Sequence, residues 1–219
     1  YEISECLVGS EMCIRDRLIM KKINRLILLF TTMAVGILLT ACGGYKGKKE
    51  RTLNLTAMDT YMSITCYGRE ADEALELAEY EIKRLDELWS VSNKDSEIYR
   101  INNGTDNLLS EDTIKILEKC RYIYGTTDGA FDVTIRPLVE LWGFESGRLY
   151  VPGDDEIKDK LALCGFDKIK MDYETITMES GMGLDFGGIA KGYTSDRLMA
   201  IFNEFDIEYA VVSLGGNVQ

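Results

Sequence analysis

Histidine is missing altogether from the 219 residues. That excludes, within these residues, a Ser-His-Asp or Cys-His arrangement, a His-containing zinc site and any imidazole acid or base. Chemistry here falls to carboxylates, Lys, Tyr, Ser/Thr, Cys, backbone groups or a metal held by oxygen. Proline is scarce, 2 residues against 20 glycines, which excludes a Pro-rich linker; without a glycine period a collagen-like chain is excluded too. Positive charge is in deficit, with 25 Lys and Arg against 37 Asp and Glu, a net −12. A nucleic-acid binder needs a basic face, so no nucleic-acid partner is expected. Beyond Cys42 the cysteines of the exported part are Cys66, Cys120 and Cys164. Their odd number and wide spacing encode neither a disulfide framework nor a metal cluster, and fit small buried hydrophobes. What is present, 46% apolar and 28% charged residues, is a globular composition of a length that suits one domain plus appendages.

The N-terminus divides into parts. Residues 1–19 start without methionine and carry no amphipathic pattern; Cys6 to Arg17 resembles a translated adapter sequence, so this stretch is read as a sequencing artefact. Met20, Lys21, Lys22 and Arg25 then lead into an apolar run from Leu26 to Ala41. A basic start, a short apolar core and small residues at its end describe a signal peptide over 20–41; a permanent spanning helix needs roughly 20 apolar residues. The ending Leu39-Thr40-Ala41-Cys42, followed by Gly43 and Gly44, resembles a bacterial lipobox. Cys42 is therefore the expected lipidated N-terminus, on the extracytoplasmic face of a cell membrane, with an uncleaved anchor as the alternative. Residues 42–52 read as a lipidated tether, basic between Tyr45 and Arg51 and suited to an anionic lipid surface.

The exported domain is expected to span 53–219. Leu53 to Tyr67 reads as one or two strands closed by Gly68. Leu75, Ala78, Ile82, Leu85 and Trp89 recur at steps of three and four, predicting a helix over Ala71–Trp89. Ser90 to Gly104 reads as irregular. Ser110 before Glu111 and Asp112 is an N-cap for a helix reaching about Tyr124. A short helix is expected over Asp154–Leu163 with Gly165 as its C-terminal cap. A hairpin is expected through Asp172-Tyr173-Glu174, a strand ending at Leu184-Asp185-Phe186, a helix over Ile189–Phe205 and a buried strand over Tyr209–Leu214. Strands and helices mix without a steady βαβ alternation, so the expected class is α+β, a mixed sheet with packed helices.

Two stretches carry chemistry. In Thr126-Thr127-Asp128-Gly129-Ala130-Phe131-Asp132, two aspartates flank a turn at the end of a helix. Asp132 could accept a hydrogen bond from a ring N–H or exocyclic amine, although Asp-Gly is also ordinary turn chemistry. In Gly183-Leu184-Asp185-Phe186-Gly187-Gly188-Ile189-Ala190-Lys191, a carboxylate and two glycines precede a helix whose first turn holds Lys191. Free N–H groups and a lysine there suit an anion, or simply a strand–helix turn with a surface lysine. The spacing is neither a Walker A loop nor a Rossmann fingerprint.

Taken with Met58-Asp59-Thr60, with Ser96-Glu97-Ile98, Arg100 and Asn102, and with Leu214-Gly215-Gly216-Asn217, these motifs resemble the FAD:protein FMN transferase (ApbE) family across 53–219. The resemblance implies that FAD is bound with Mg²⁺, its pyrophosphate is cleaved, and FMN passes to a Thr or Ser hydroxyl of a target protein with release of AMP. It implies FAD contacts at Met58, Ala130, Phe131, Asp132, Asp185 and Lys191, with Asp185 and Lys191 needed for catalysis and the Gly188 carbonyl on the metal. Where the family commonly has an aromatic residue this chain has Ser92. The family also continues for about a hundred residues past the Gly-Gly-Asn strand, with further metal ligands and commonly a histidine, so a C-terminally truncated and inactive chain is the expectation. Candidate acceptors are exported proteins, such as a subunit of a membrane redox complex or a flavin-bearing reductase. The competing functions are an FAD pyrophosphatase with water as acceptor, and a non-catalytic lipid-anchored flavin-binding protein.

Overall fold

The computed structural model describes residues 47–144, 147 and 150–219. Cys42, the signal segment and the first part of the tether, up to residue 46, lie outside them.

The chain enters a hairpin at Lys49, earlier than Leu53. Strand β1 (Lys49–Ala57) pairs antiparallel with β2 (Thr60–Gly68). Ala57 faces Thr60, which leaves Met58-Asp59 as a two-residue loop, and both have positive φ, 50° and 55°. This is the backbone a type I′ turn demands and the one whose twist matches the strands. Alternation then sends Met62, Ile64 and Cys66 into the core. Strand β5 (Ile207–Leu214) lies beside β2, and the short β6 (Asn217–Val218) completes the order β1-β2-β5-β6.

The α+β class holds, with one refinement: every described pair is antiparallel, where a mixed sheet was expected. Nor is β5 buried throughout. Val212 and Leu214 are covered, but Tyr209 and Val211 are each 49% exposed. Apolar content misleads here because helices pack on one face of the sheet only. On the other face Tyr209 stacks on Tyr67, with ring centroids 5.3 Å apart.

Helix α1 (Ala71–Trp89) has the predicted bounds. Two short helices were not expected, α2 (Glu97–Asn102) and α4 (Arg136–Trp142), because neither is long enough to show a period. Their ends are nonetheless encoded: the Ser96 hydroxyl accepts the Tyr99 N–H at 2.9 Å, and Pro137 sits in the first turn of α4. Helix α3 (Glu111–Thr126) begins at its Ser110 cap as expected. Helix α5 (Asp154–Leu161) is not capped by Gly165; the Lys168 ammonium donates to the Ala162 and Cys164 carbonyls at 2.7 and 2.6 Å instead. The hairpin β3 (Lys170–Asp172) and β4 (Thr175–Thr177) forms around Tyr173-Glu174, and α6 (Ala190–Glu204) follows. The strand expected to end at Asp185 is absent among the described residues; the backbone of Leu184 and Asp185 finds other partners.

Two apolar clusters result. One joins Met62, Ile64, Val212 and Leu214 of the sheet to Ala74, Ala78 and Ile82 of α1 and to Leu198 and Phe202 of α6. The other gathers Leu85 and Trp89 of α1 with Ile98, Ile101, Ile116, Leu117, Leu184 and Phe186. Helix α1 therefore serves both, and Met58 packs against both. Between the helices lies a polar clamp. Buried Glu81 accepts from Arg84 at 2.8 and 3.0 Å and from Arg197 at 3.0 Å. Arg84 also donates to Asp112 at 2.6 Å, and Tyr193 donates to the same carboxylate at 2.8 Å. Helices α1, α3 and α6 are thus tied by one set of charges.

The Arg84 hydrogen bond, helped by Arg197, holds Glu81 below the usual carboxylate range against the effect of burial. At Asp112 burial pushes upward, but Arg84 and Tyr193 outweigh it. A carboxyl whose folded pKa lies below its unfolded one contributes stability above the unfolded value and loses it as pH falls through the folded one. Glu81→Gln should cost about 1–3 kcal/mol at pH 7, moderated by the partial exposure of both arginines. Urea unfolding of both proteins checks this, and the difference should shrink as pH falls below about 4.

Candidate functional site

The end of β1, the last turn of α1 and the start of α6 converge on one cavity of about 490 Å³. Met58 and Asp59 come from the hairpin tip, Asp86 and Trp89 from α1, Ser90 to Ser92 from the loop after it, and Asp185, Gly187 and Lys191 from the turn into α6. The volume falls within the roughly 300–1,000 Å³ usual for small-molecule sites. Met58 is therefore brought together with Asp185 and Lys191, which lie far from it in sequence. Ser92 also lines this cavity, exposed and without a ring to stack.

The turn that presents Asp185 is held locally. Phe186 is buried edge-on to Trp89, centroids 5.7 Å apart, and fixes the floor. The Phe186 carbonyl accepts the Ile189 and Ala190 N–H groups at 2.9 and 2.8 Å, turning the chain into α6. One Asp185 oxygen accepts the Gly187 N–H at 2.8 Å, and the other lies 3.9 Å from the buried Arg136 guanidinium. Lys191 reaches back one turn and donates to the Gly187 carbonyl at 3.3 Å. Gly188 has no side chain to spare space for: a Cβ there would sit 3.3 Å from the Phe131 ring.

Phe131 therefore adjoins the turn, but Ala130, Phe131 and Asp132 are all absent from the cavity's lining. Ala130 is exposed and its N–H donates to the Thr127 carbonyl at 3.0 Å. One Asp132 oxygen accepts both the N–H and the hydroxyl of Thr134, at 2.8 and 2.7 Å, and the Thr134 hydroxyl in turn accepts the Gly165 N–H at 2.7 Å. That oxygen serves the loop itself, the turn chemistry weighed as the alternative.

Asp86 was missed. It lines the cavity, half-buried, and accepts the Met58 N–H at 3.0 Å. Burial pushes its carboxyl up, the Met58 N–H pulls it down, and Asp59 and Glu87 add to the rise. The sequence did carry a signal: Asp86 follows Ile82 by four and precedes Trp89 by three, so a carboxylate sits on the apolar stripe. The cysteines stay out of the chemistry. Cys66, Cys120 and Cys164 are free and buried, and burial, with Asp132 nearby, pushes Cys120 up to about 12.

For a metal, the exposed turn offers the Gly188 carbonyl. Among the described residues no group of three or more His, Cys, Asp or Glu side chains gathers to hold an ion. The donor set present is thus not a metal site by itself.

Comparison with known proteins places the chain in a family. Residues 58–219 match the ApbE family. The FAD:protein FMN transferase of Klebsiella pneumoniae is 32% identical over 154 residues, covering 67% of this chain and 49% of that protein. The Vibrio cholerae protein of the same name is 28% identical over 197 residues, covering 85% and 59%. Among solved structures, the ApbE protein of Thermotoga maritima superposes with a TM-score of 0.72 at 30% identity, over 78% of this chain and 58% of that one. Flavin transferase ApbE of Vibrio cholerae gives 0.72 at 26% identity, over 79% and 59%. The chain spans about half the length of the curated relatives it matches. By the match over residues 58–219, the chain belongs to the ApbE family.

Proposed function

We propose that this chain takes part in Mg²⁺-dependent transfer of FMN from FAD to a Thr or Ser hydroxyl of an exported protein, releasing AMP. One observation carries the reading: Met58, Asp185 and Lys191, three of the six residues the family resemblance assigns to FAD, meet at one cavity between two apolar clusters. In this reaction the acceptor oxygen forms a bond to the FMN phosphorus, the bond from that phosphorus to the AMP oxygen breaks, and the hydroxyl proton leaves. Lys191 meets phosphate charge from the first turn of α6, where the helix end adds its own positive potential. Asp185, held by the Gly187 N–H, accepts a hydrogen bond from the nucleotide. Phe131 and Met58 give the flavin nucleotide apolar contact, with Ala130 and Asp132 at the loop beside them.

The cavity's charges support a cation in the reaction. Asp59, Asp86 and Asp185 face Lys191, and a pyrophosphate placed there is repelled unless positive charge is added. When bound, Mg²⁺ neutralises phosphate charge and makes AMP a better leaving group. Gly188 is the one contact assigned to it here, and the described residues alone do not complete its shell.

We further propose that Cys42 is acylated and holds the domain at the outer face of a bacterial membrane. Among the described residues no helix is long and apolar enough to cross a membrane. Mass spectrometry of membrane-purified protein should show a diacylglyceryl Cys42 as the first residue; unmodified Cys42 inside a longer chain would contradict the anchor.

Lys191→Ala should weaken FAD binding roughly ten- to hundredfold, the equivalent of about 1.5–3 kcal/mol for a charge-assisted contact, and Asp185→Ala should weaken it as well. Titration by flavin fluorescence checks both; unchanged affinity in the two variants would overturn the site. Incubation of the full-length protein with FAD, Mg²⁺ and an acceptor domain should place flavin fluorescence on the acceptor band of a denaturing gel. Free FMN and AMP without a labelled band would identify hydrolysis instead.

A further inference from the structure

Asp185 owes its place to backbone that belongs to no strand. Its own N–H donates to the Val133 carbonyl at 2.8 Å. The residue before it, Leu184, is held on both of its polar groups by one side chain. Asn102 Nδ2 donates to the Leu184 carbonyl at 2.8 Å, and Asn102 Oδ1 accepts the Leu184 N–H at 2.7 Å. In an extended residue these two groups point the same way, and a strand neighbour would exchange both bonds with it. The carboxamide, planar with one donor and one acceptor edge, stands in for that neighbour.

The support behind Asn102 is rigid. It ends α2, whose Ile98 and Ile101 are buried, and whose Glu97 accepts the Ser110 N–H at 3.1 Å through each carboxylate oxygen. The Ser96 hydroxyl donates to the Ser90 carbonyl, tying the other end of α2 to the loop that lines the cavity. Gly183 lets the parts close up: a Cβ there would lie 2.8 Å from the Arg136 stem and 3.4 Å from Asn102 Oδ1.

We propose that Asn102 is a positioning residue for Asp185, setting through Leu184 where that carboxylate stands in the cavity. The inference rests on the reading above for the role of Asp185 toward FAD, and two independent measurements separate the two.

Asn102→Asp keeps the size and the acceptor but sets a carboxylate oxygen against the Leu184 carbonyl. Asn102→Ser removes both bonds without adding charge, and serves if the first variant does not fold. In the full chain, with folding verified by circular dichroism, amide exchange at Leu184 and Asp185 should speed up at least tenfold. The carbon-13 chemical shift of the Asp185 carboxyl should also move. FAD should bind about tenfold more weakly, and in an Asp185→Ala background the Asn102 change should have no further effect on affinity. Unchanged exchange and an unchanged carboxyl signal overturn the proposal whether or not FAD binds. Altered exchange with unchanged FAD affinity, or losses that multiply in the double variant, overturns it as well, leaving Asn102 a structural residue only. A parent chain that binds no FAD refutes the functional reading, while exchange and the carboxyl signal still decide what Asn102 does to Asp185.

Discussion

One apolar stripe along α1 has to be covered by two different partners. Its first half meets the sheet and α6; its second half meets the loops and short helices after it. A straight helix cannot be enclosed by both without a seam, and the seam falls beside Leu85 to Trp89. There the hairpin tip, the loop Ser90 to Ser92 and the turn into α6 leave a cavity instead of closing. The site is a product of core geometry before it is a product of chemistry.

Charge follows the same layout. The polar clamp of Glu81, Arg84, Asp112 and Arg197 lies on one side of the helices, where every charge finds an opposite. The cavity side is unbalanced, with three carboxylates around Lys191. A protein that needed only a stable fold would not leave half-buried Asp86 next to Asp59, since the second carboxylate raises the cost of ionising Asp86. Such an imbalance is what a binding site shows when its complement arrives with the ligand.

Much of this was legible in the chain. The stripe from Leu75 to Trp89 placed α1, and Ser110 placed the start of α3, because periodicity and capping are local. The glycines after Asp185 marked the turn and helix start that carry Lys191. The failures share a cause. Helices α2 and α4 are too short for a period, and β5 looked buried because composition does not say which face of a sheet is covered. The segment at Leu184 looked like a strand, having a strand's hydrogen bonding, yet its partner is a side chain 82 positions earlier. No local pattern encodes a partner at that distance. Asp132 was the converse, a residue whose motif suggested a ligand and whose nearest donor is its own Thr134.

The hairpin tip sets a limit on engineering. Met58 and Asp59 both occupy a left-handed backbone that side chains disfavour by about 1 kcal/mol each. Asn-Gly is the pair such a turn prefers. A thermostabilisation campaign scored on melting temperature alone would be drawn to that pair early, and each accepted change would strip a side chain from the cavity wall. Selection for robustness and selection for turnover pull this loop in opposite directions, so libraries at these two positions need a binding screen from the first round.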